Sequence, residues 1–296
     1  IDTGIDAAHP EFSGELVGTN RIGAVDLGNT PSGAKTDSES GGHGTQVAGI
    51  IGANNLLSLG VPLPGFSPQM NGILSGALEE SQYKLVIENL NLATSTTQTI
   101  TVLAALEKVL KKNPQIINLS LGIEKCSDLS FIIRNFIVQK CAKTDQEFSD
   151  LDKPFQKFFN SNPNILFVAA AGNEDVDFSF MTPAHWSILM PNVISVGATN
   201  LNDERAAFFP LNIPKSNFGI KLNLSAPGTD VYASKTGGGY NSNFSGTSAS
   251  APMVTGVAGL IKAIRPGLDP SQIKHLLQIT SDPIITDKPI GLGCFT

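Results

Sequence analysis

The chain has 296 residues and a formal net charge of −6, with 41% hydrophobic and 16% charged residues. This composition is typical of a globular protein with a sizeable core, and it argues against a disordered or fibrous chain. The acidic balance argues against binding to nucleic acid, because phosphate backbones select basic surfaces. No apolar run reaches the roughly 18 residues that span a bilayer, so we expect no membrane span in this sequence.

Short apolar runs alternate with longer periodic ones along the chain. Strands are predicted over residues 21–27, 84–88, 115–121, 165–170, 193–198 and 222–226. Helices are predicted over residues 97–112, 247–264 and 270–279. Several strands are apolar throughout, as in strands that are buried on both faces. The alternation therefore predicts an α/β fold with a doubly wound, mostly parallel central sheet and helices on both faces.

Residues 124–164 do not fit this alternation, and we predict that they form a helical insertion within the domain. One apolar stripe runs from Leu129 to Ile137, and a second runs from Phe148 to Phe159 with an interruption near Pro154. Packing of both stripes on the main core is the favoured interpretation. Contact with a propeptide, a partner or a membrane is the alternative.

The three cysteines, Cys126, Cys141 and Cys294, are too few and too poorly spaced for a disulfide framework. A helix over residues 127–140 would hold the first two about 20 Å apart, whereas a disulfide tolerates Cα separations of only about 7 Å. We therefore expect three unpaired thiols.

Four polar side chains stand in glycine-rich turns or at the ends of apolar elements. Asp2 precedes a Thr-Gly turn, His43 lies between glycines, Asn173 follows the most apolar strand, and Ser248 opens the small, apolar helix 247–264. Each has an ordinary explanation when it is taken alone. They could be a loop cap, a structural histidine, a turn residue and a helix cap.

Together these side chains provide the groups that acyl transfer at a peptide bond requires. A serine becomes a good nucleophile when a neighbouring base takes its proton, and a histidine can do so near pH 7. A buried carboxylate holds that histidine in the correct tautomer. An amide side chain and the N-terminus of a helix suit the developing oxyanion. Three of the four segments fall where predicted parallel strands end, which is the edge where such sheets bind ligands.

The sequence resembles the subtilisin-like serine protease family. Its segments IDTGID, HGTQVAG and GTSASAPM, around Asp2, His43 and Ser248, are similar to the aspartate, histidine and serine motifs of that family and occur in the same order. The resemblance implies a peptidase domain over residues 1–296 that hydrolyses peptide bonds through an acyl-enzyme intermediate. It implies that Ser248 is the nucleophile, His43 the general base and acid, and Asp2 its orienting carboxylate. Asn173 and the backbone N–H of Ser248 would form the oxyanion hole.

The resemblance also implies where a polypeptide substrate binds. Ser120, Leu121 and Gly122 resemble the edge segment that pairs with an extended substrate. Ala170, Ala171 and Gly172 resemble one wall of the pocket for the residue before the cut. Met181 is predicted to lie near the floor of that pocket, which would favour an apolar or large neutral residue.

Further expectations follow from the resemblance. The chemistry requires no cofactor, no metal ligands are assigned, and a structural calcium site is left undecided. A propeptide or inhibitor is a possible further partner, and secretion or location in the cell envelope is expected. The strand that should precede Asp2 is missing from the sequence, so we expect a domain that is truncated at its N-terminal edge, and also at its C-terminal edge.

The remaining histidines and acids have ordinary interpretations. A solvated loop is favoured over an acidic pocket rim for residues 174–177, which contain Glu174, Asp175 and Asp177. His9 is interpreted as part of a structural turn, and His185 and His275 as surface or packing residues.

Two other functions compete with the endopeptidase. An esterase is disfavoured because the nucleophile run GTSAS lacks the second glycine of Gly-x-Ser-x-Gly, and because the order of the triad residues differs. The second is a catalytically impaired binding module whose cleft is remodelled by residues 124–164. It is disfavoured because all four working side chains are present.

Overall fold

The computed structural model describes residues 1–12, 22–26, 37, 41–53, 72–74, 78, 83–90, 98–125, 144–208 and 215–284. The helices within these ranges are α1 His43–Gly52, α2 Gln98–Leu110, α3 Asp145–Ser161, α4 Thr247–Ile264 and α5 Pro270–Thr280. The strands there are β1 Ile22–Asp26, β2 Leu85–Glu88, β3 Ile116–Leu119, β4 Ile123–Glu124, β5 Leu166–Ala170, β6 Met181–Thr182, β7 Val193–Thr199, β8 Leu224–Pro227, β9 Val231–Lys235 and β10 Gly239–Phe244. Within these same ranges, no helix combines the length and the apolar character that crossing a membrane requires.

Four parallel strands in the order β3-β5-β7-β8 form the main sheet. The side chains of β5 show how both faces of this sheet are covered. Leu166, Val168 and Ala170 pack with residues of α4 and α5, whereas Phe167 and Ala169 pack with residues of α2 and α3. This confirms the predicted doubly wound α/β fold, because successive strand residues point to opposite faces and both faces are buried under helices.

The first two residues connect this sheet to the parallel pair β1-β2. The Asp2 N–H donates to the Glu88 carbonyl at 3.1 Å, and the Leu90 N–H donates to the Asp2 carbonyl at 2.8 Å. On the other side, the amino group of Ile1 donates to the Asn118 carbonyl at 3.1 Å. A cavity of about 520 Å³ lies beside Ile1, between β2 and β3. Asp2 therefore lies between the two sheets.

Helix α3 runs without a break through Pro154, so the predicted interruption is wrong. An interior proline costs about 3 kcal/mol. Phe155 and Phe159 are both almost completely buried, and the Phe159 ring lies 4.6 Å from that of Phe167 in β5. Burial of each phenyl group contributes roughly 1.5–3 kcal/mol, which is enough to offset the proline. The first stripe of the predicted insertion and all three cysteines lie outside the described residues.

The antiparallel hairpin of β9 and β10 is not among the predicted elements. Its turn contains Gly237 and Gly238 with φ of 84° and 79°, so the Gly-Gly pair was the signal that could have revealed it. The hairpin holds the first turn of α1, because the Ser234 hydroxyl donates to the Thr45 carbonyl at 2.8 Å. It therefore positions the helix that begins at His43.

Candidate active site

Asp2 and His43 are in direct contact. His43 is the first residue of α1, and its Nδ1 lies 2.7 Å from Asp2 Oδ1. The same oxygen accepts a hydrogen bond from the Thr3 N–H at 2.8 Å. Asp2 is buried, whereas His43 is half-buried and keeps one edge accessible. The pair has the geometry of a carboxylate that orients an imidazole.

Charge and burial shift the pKa of Asp2 in opposite directions. Burial favours the neutral acid and raises its pKa, but the charge and hydrogen bond of His43 and the hydrogen bond from Thr3 act against it. The net result is a pKa of Asp2 below its usual value. The carboxylate is therefore ionised at neutral pH, which is the state that stabilises an imidazolium.

A clamp formed by Asp37, Thr3 and Thr45 supports this pair. Asp37 Oδ2 accepts hydrogen bonds from the N–H and the hydroxyl of Thr45, each at 2.8 Å, and its Oδ1 accepts one from the Thr3 hydroxyl at 2.6 Å. The Thr3 hydroxyl oxygen accepts the Gly44 N–H at 2.9 Å. The clamp joins the turn after Asp2 to the N-terminus of α1. Asp37 is not among the predicted site residues, because no sequence motif marks it.

Ser248 is the second residue of α4, and Gly246 precedes the helix with φ of 133°. Its hydroxyl donates to the Ser120 carbonyl at 3.3 Å, and the Ser120 hydroxyl donates to the Ser248 carbonyl at 3.0 Å. The predicted substrate edge is therefore directly beside the candidate nucleophile. The N–H groups of the first turn of α4 lie at the positive end of the helix dipole.

Asn173 lies against the same turn of α4. Its Oδ1 accepts hydrogen bonds from the Thr247 N–H at 2.8 Å and from the Thr247 hydroxyl at 3.1 Å. The Thr247 hydroxyl in turn accepts the Gly172 N–H at 3.1 Å. Because the amide oxygen is held in this way, the orientation of the Asn173 NH₂ group is set as well. A donor with a set orientation is what an oxyanion requires.

The N-terminal turns of α1 and α4 pack against each other. Val47 of α1 and Ala249 of α4 belong to one buried cluster, together with Phe244 of β10. The Phe244 ring also meets the His43 ring edge-on, with 5.5 Å between the centroids. The structure thus brings the Asp2–His43 pair and the turn of α4 that carries Ser248 to adjoining helix ends.

The three residues of the predicted pocket wall, Ala170, Ala171 and Gly172, have different surroundings. The side chains of Ala170 and Ala171 are buried in opposite core clusters, so only their backbone could face a substrate. Gly172 has φ of +101° and lies against Met181. Gly122, on the opposite segment, lies against the same methionine. Met181 therefore lies between the two segments.

The acidic residues after Asn173 are partly exposed, and two of them also brace the loop. Glu174 Oε2 accepts the Asn173 N–H at 2.6 Å and the Asn217 amide at 3.0 Å. Asp175 pairs with the buried Arg205 at 2.6 Å. The segment keeps the partial exposure of a solvated loop, and these contacts also hold the backbone that presents Asn173.

Two histidines outside the pair have specific partners. His9 is fully buried, and its Nε2 lies 2.8 Å from the Gly239 carbonyl, which fits the structural turn that was predicted. His185 Nε2 lies 2.7 Å from Asp152 of α3, so it is part of a buried polar contact. Among the residues that the structure describes, no group of three or more His, Cys, Asp or Glu could hold a metal ion.

A carboxylate–imidazole pair, a serine at a helix N-terminus and an oriented amide, all on a doubly wound parallel sheet, are the groups that serine hydrolases combine. The model of the Subtilase family matches residues 1–293. The chain belongs to the subtilase family.

Known relatives cover nearly all of the chain. It is 30% identical over 289 residues to "Extracellular serine proteinase" of Thermus sp. (strain Rt41A), an alignment that covers 96% of this chain and 54% of the relative. It is 28% identical to "Subtilisin NAT" of Bacillus subtilis subsp. natto over 95% of this chain and 59% of that protein. The chain thus spans a little over half the length of these relatives.

A solved structure agrees with this assignment. The crystal structure of a cold adapted subtilisin-like serine proteinase superposes with a TM-score of 0.65 at 26% sequence identity. The superposition covers 98% of this chain and 83% of that one. The subtilisin-like fold therefore extends over almost the whole chain.

Proposed function

We propose that the protein is a serine endopeptidase that cleaves polypeptides through an acyl-enzyme intermediate. The observation that carries the proposal is the 2.7 Å contact between Asp2 and His43 at the end of α1, beside the N-terminus of α4 where Ser248 lies. Membership of the subtilase family and the names of the relatives support it.

The first chemical step transfers a proton and forms a bond. The Ser248 hydroxyl rotates from the Ser120 carbonyl toward His43, which takes its proton as Oγ attacks the scissile carbonyl. The ionised Asp2 stabilises the resulting imidazolium. The Asn173 NH₂ group and the backbone N–H of Ser248 donate to the oxyanion as it forms.

The second half of the reaction releases both products. His43 returns the proton to the departing amine, and an ester between Ser248 and the acyl part of the substrate remains. A water molecule, deprotonated by His43, then hydrolyses this ester and restores the Ser248 hydroxyl. An extended substrate would pair with Ser120–Gly122, the edge segment whose Ser120 contacts the nucleophile.

The binding-module alternative is not favoured. Its premise is a cleft that residues 124–164 have remodelled, yet helix α3, the longest described part of that segment, buries its phenylalanines against residues of α2 and β5. The comparisons also point to proteinases. A propeptide or inhibitor remains a proposed partner, and secretion a proposed location, since one relative is named as extracellular.

Cleavage of a peptide library by purified protein tests the proposal, with Ser248→Ala as the control. We expect the wild type to cleave internal peptide bonds and Ser248→Ala to cleave none. Equal cleavage by the two proteins, or hydrolysis of simple esters without any peptide cleavage, would contradict the assignment.

A further inference from the structure

The loop that carries Asn173 is folded around the side chain of Asn217. Asn217 Oδ1 accepts hydrogen bonds from the Glu174 N–H at 2.9 Å and from the Val176 N–H at 3.1 Å. Its NH₂ group donates to the Ala171 carbonyl at 2.8 Å and to Glu174 Oε2 at 3.0 Å. One amide side chain thus contacts the loop on both sides of Asn173.

The backbone of Asn217 adds a further hydrogen bond to this brace. Its N–H donates to the carbonyl of Gly172, the residue before Asn173, at 2.9 Å. A Cβ atom added to Gly172 would lie 2.3 Å from Nδ2 of Asn217, so the amide packs directly against the loop backbone. Asn217 is fully buried. Water therefore does not compete for these hydrogen bonds, and the low local dielectric strengthens them.

The conformation of the loop explains why it needs such a brace. Gly172 has φ of 101° and Asp175 has φ of 57°, so left-handed residues lie on both sides of Asn173 and Glu174. Residues other than glycine adopt this region rarely. A backbone of this kind persists where surrounding contacts enforce it, and Asn217 supplies those contacts.

Asn217 is itself held in place through the residue that precedes it. The buried Arg205 donates to the Ser216 carbonyl at 2.8 Å and pairs with Asp175 of the loop at 2.6 Å. The Ser216 N–H donates to the Ala206 carbonyl at 2.9 Å. The side chain that braces the loop therefore extends from a segment with a fixed backbone.

The position of the loop bears directly on the oxyanion. The NH₂ group of Asn173 has to lie within hydrogen-bond distance of the oxygen that gains negative charge. A displacement of about 1 Å can cost on the order of 100-fold in rate. Thr247 orients the amide by donating to its Oδ1, whereas Asn217 holds the backbone from which the amide extends.

We propose that Asn217 is a positioning residue for the oxyanion hole, which acts through Asn173 by fixing the backbone of its loop. The inference rests on the proposed endopeptidase function and adds a residue to the machinery of the same site. Asn223 provides the contrast, because it is also a buried asparagine but its Oδ1 accepts the N–H of Ser195 in β7, at 3.2 Å. A buried asparagine in that place stabilises the sheet and not the loop.

A double-mutant cycle between Asn217 and Asn173 tests the proposal, with a quenched fluorescent peptide as substrate and a temperature at which all variants are folded. We expect Asn217→Ala to lower kcat by at least about 10-fold with KM within about 2-fold of wild type, because stabilisation of the transition state is weakened. Asn173→Ala should lower kcat by about 10²–10³-fold, the range measured in subtilisin for loss of its oxyanion asparagine. In the Asn173→Ala background, Asn217→Ala should cost no more than about 2-fold further, because the side chain through which it acts is gone.

The matched control is Asn223→Ala, which removes another buried amide and should leave kcat within about 2-fold of wild type. A second variant, Asn217→Asp, keeps the shape of the side chain in case Asn217→Ala does not fold. It retains the two accepted hydrogen bonds but sets a carboxylate against that of Glu174, so kcat should again fall by at least about 10-fold. Wild-type kcat in the folded Asn217 variants, or a full further loss when Asn217→Ala is added to Asn173→Ala, would overturn the proposal.

Hydrogen exchange separates failure of the brace from failure of the chemistry. It is measured by mass spectrometry on Ser248→Ala protein, with Asn217→Ala or Asn223→Ala added. Asn217→Ala should speed exchange in residues 171–178 by at least about 10-fold, because two of their N–H groups lose an acceptor, whereas Asn223→Ala should not. Faster exchange supports the brace even when the wild type cleaves nothing, and only the proposed endopeptidase function is then lost. Equal exchange of this segment in the two variants overturns the brace.

Discussion

Replacement of Asp152 by alanine should loosen the contact between helix α3 and the floor of the pocket. Asp152 Oδ1 accepts hydrogen bonds from the Thr182 hydroxyl at 2.6 Å and from Trp186 Nε1 at 2.6 Å, and lies 2.7 Å from His185 Nε2. All three partners belong to the segment that follows Met181. One carboxylate oxygen thus holds this segment to α3.

The magnitude follows from the groups that lose their acceptor. Thr182 is fully buried and Trp186 is 7% exposed. Asp152→Ala therefore leaves two buried hydrogen-bond donors with neither a protein acceptor nor water to bind. Each such donor costs about 1–3 kcal/mol, so for the two donors we expect the free energy of unfolding to fall by about 2–6 kcal/mol in total. Total stability is about 5–15 kcal/mol, so this loss is large. Asp152→Asn keeps the acceptor oxygen and should cost less.

Urea unfolding at neutral pH measures this effect, with Asp150→Ala as the matched control. Asp150 is an exposed carboxylate on the same helix, and its removal should change the stability by less than about 0.5 kcal/mol. Equal stabilities of Asp152→Ala and Asp150→Ala would refute the reasoning.

Three further predictions concern the site and its support. Asp2→Asn should lower kcat on the order of 10⁴-fold with little change in KM, a figure taken over from subtilisin and trypsin. Because the pKa of Asp2 is lowered in the folded state, wild type should also lose stability relative to Asp2→Asn as the pH falls below about 4; parallel acid-unfolding curves would contradict this. Thr247→Val removes one of two donors to Asn173 and should reduce kcat by about 10-fold with KM unchanged, whereas a rise in KM alone would contradict a role in orienting the amide. Lys274 donates to three backbone carbonyls, so Lys274→Met should cost about 2–4 kcal/mol, as measured by thermal unfolding. Burial lowers the pKa of Lys274 to about 8 from 10.5, so wild type alone should gain stability from this group as the pH rises through that window; no difference between the two proteins there would count against the shift.

The strands of the main sheet, the helices α2, α4 and α5, and the polar side chains at strand ends could be predicted from the sequence. Runs such as residues 165–170 are apolar throughout because both faces of β5 are covered, and this pattern is readable without coordinates. The four candidate site residues could be selected because acyl transfer needs four chemically distinct groups, and each stands in or just before a glycine-containing turn or at a helix start. Neither inference depends on contacts between residues that are distant in the sequence.

Contacts between distant segments could not be predicted. Asp37 meets Thr3 across 34 positions, and Asp152 meets Trp186 across the same separation. Nothing local marks either carboxylate, since an isolated Asp is ordinarily a surface residue. The position of Met181 was predicted near the pocket, but its rotamer, and therefore the depth of the pocket, depends on packing against both Gly122 and Gly172.

Labelling with a fluorophosphonate probe, located by mass spectrometry, is the most direct test of the proposed activated serine. Ser250 provides the matched control, because it lies two residues after Ser248 in α4 and its buried hydroxyl donates to the Ala226 carbonyl. We predict that wild type and Ser250→Ala are labelled on Ser248, at neutral pH and in the folded state, and that Ser248→Ala is not labelled. Labelling of Ser248→Ala at the wild-type rate, or no labelling of the folded wild type, would contradict the account.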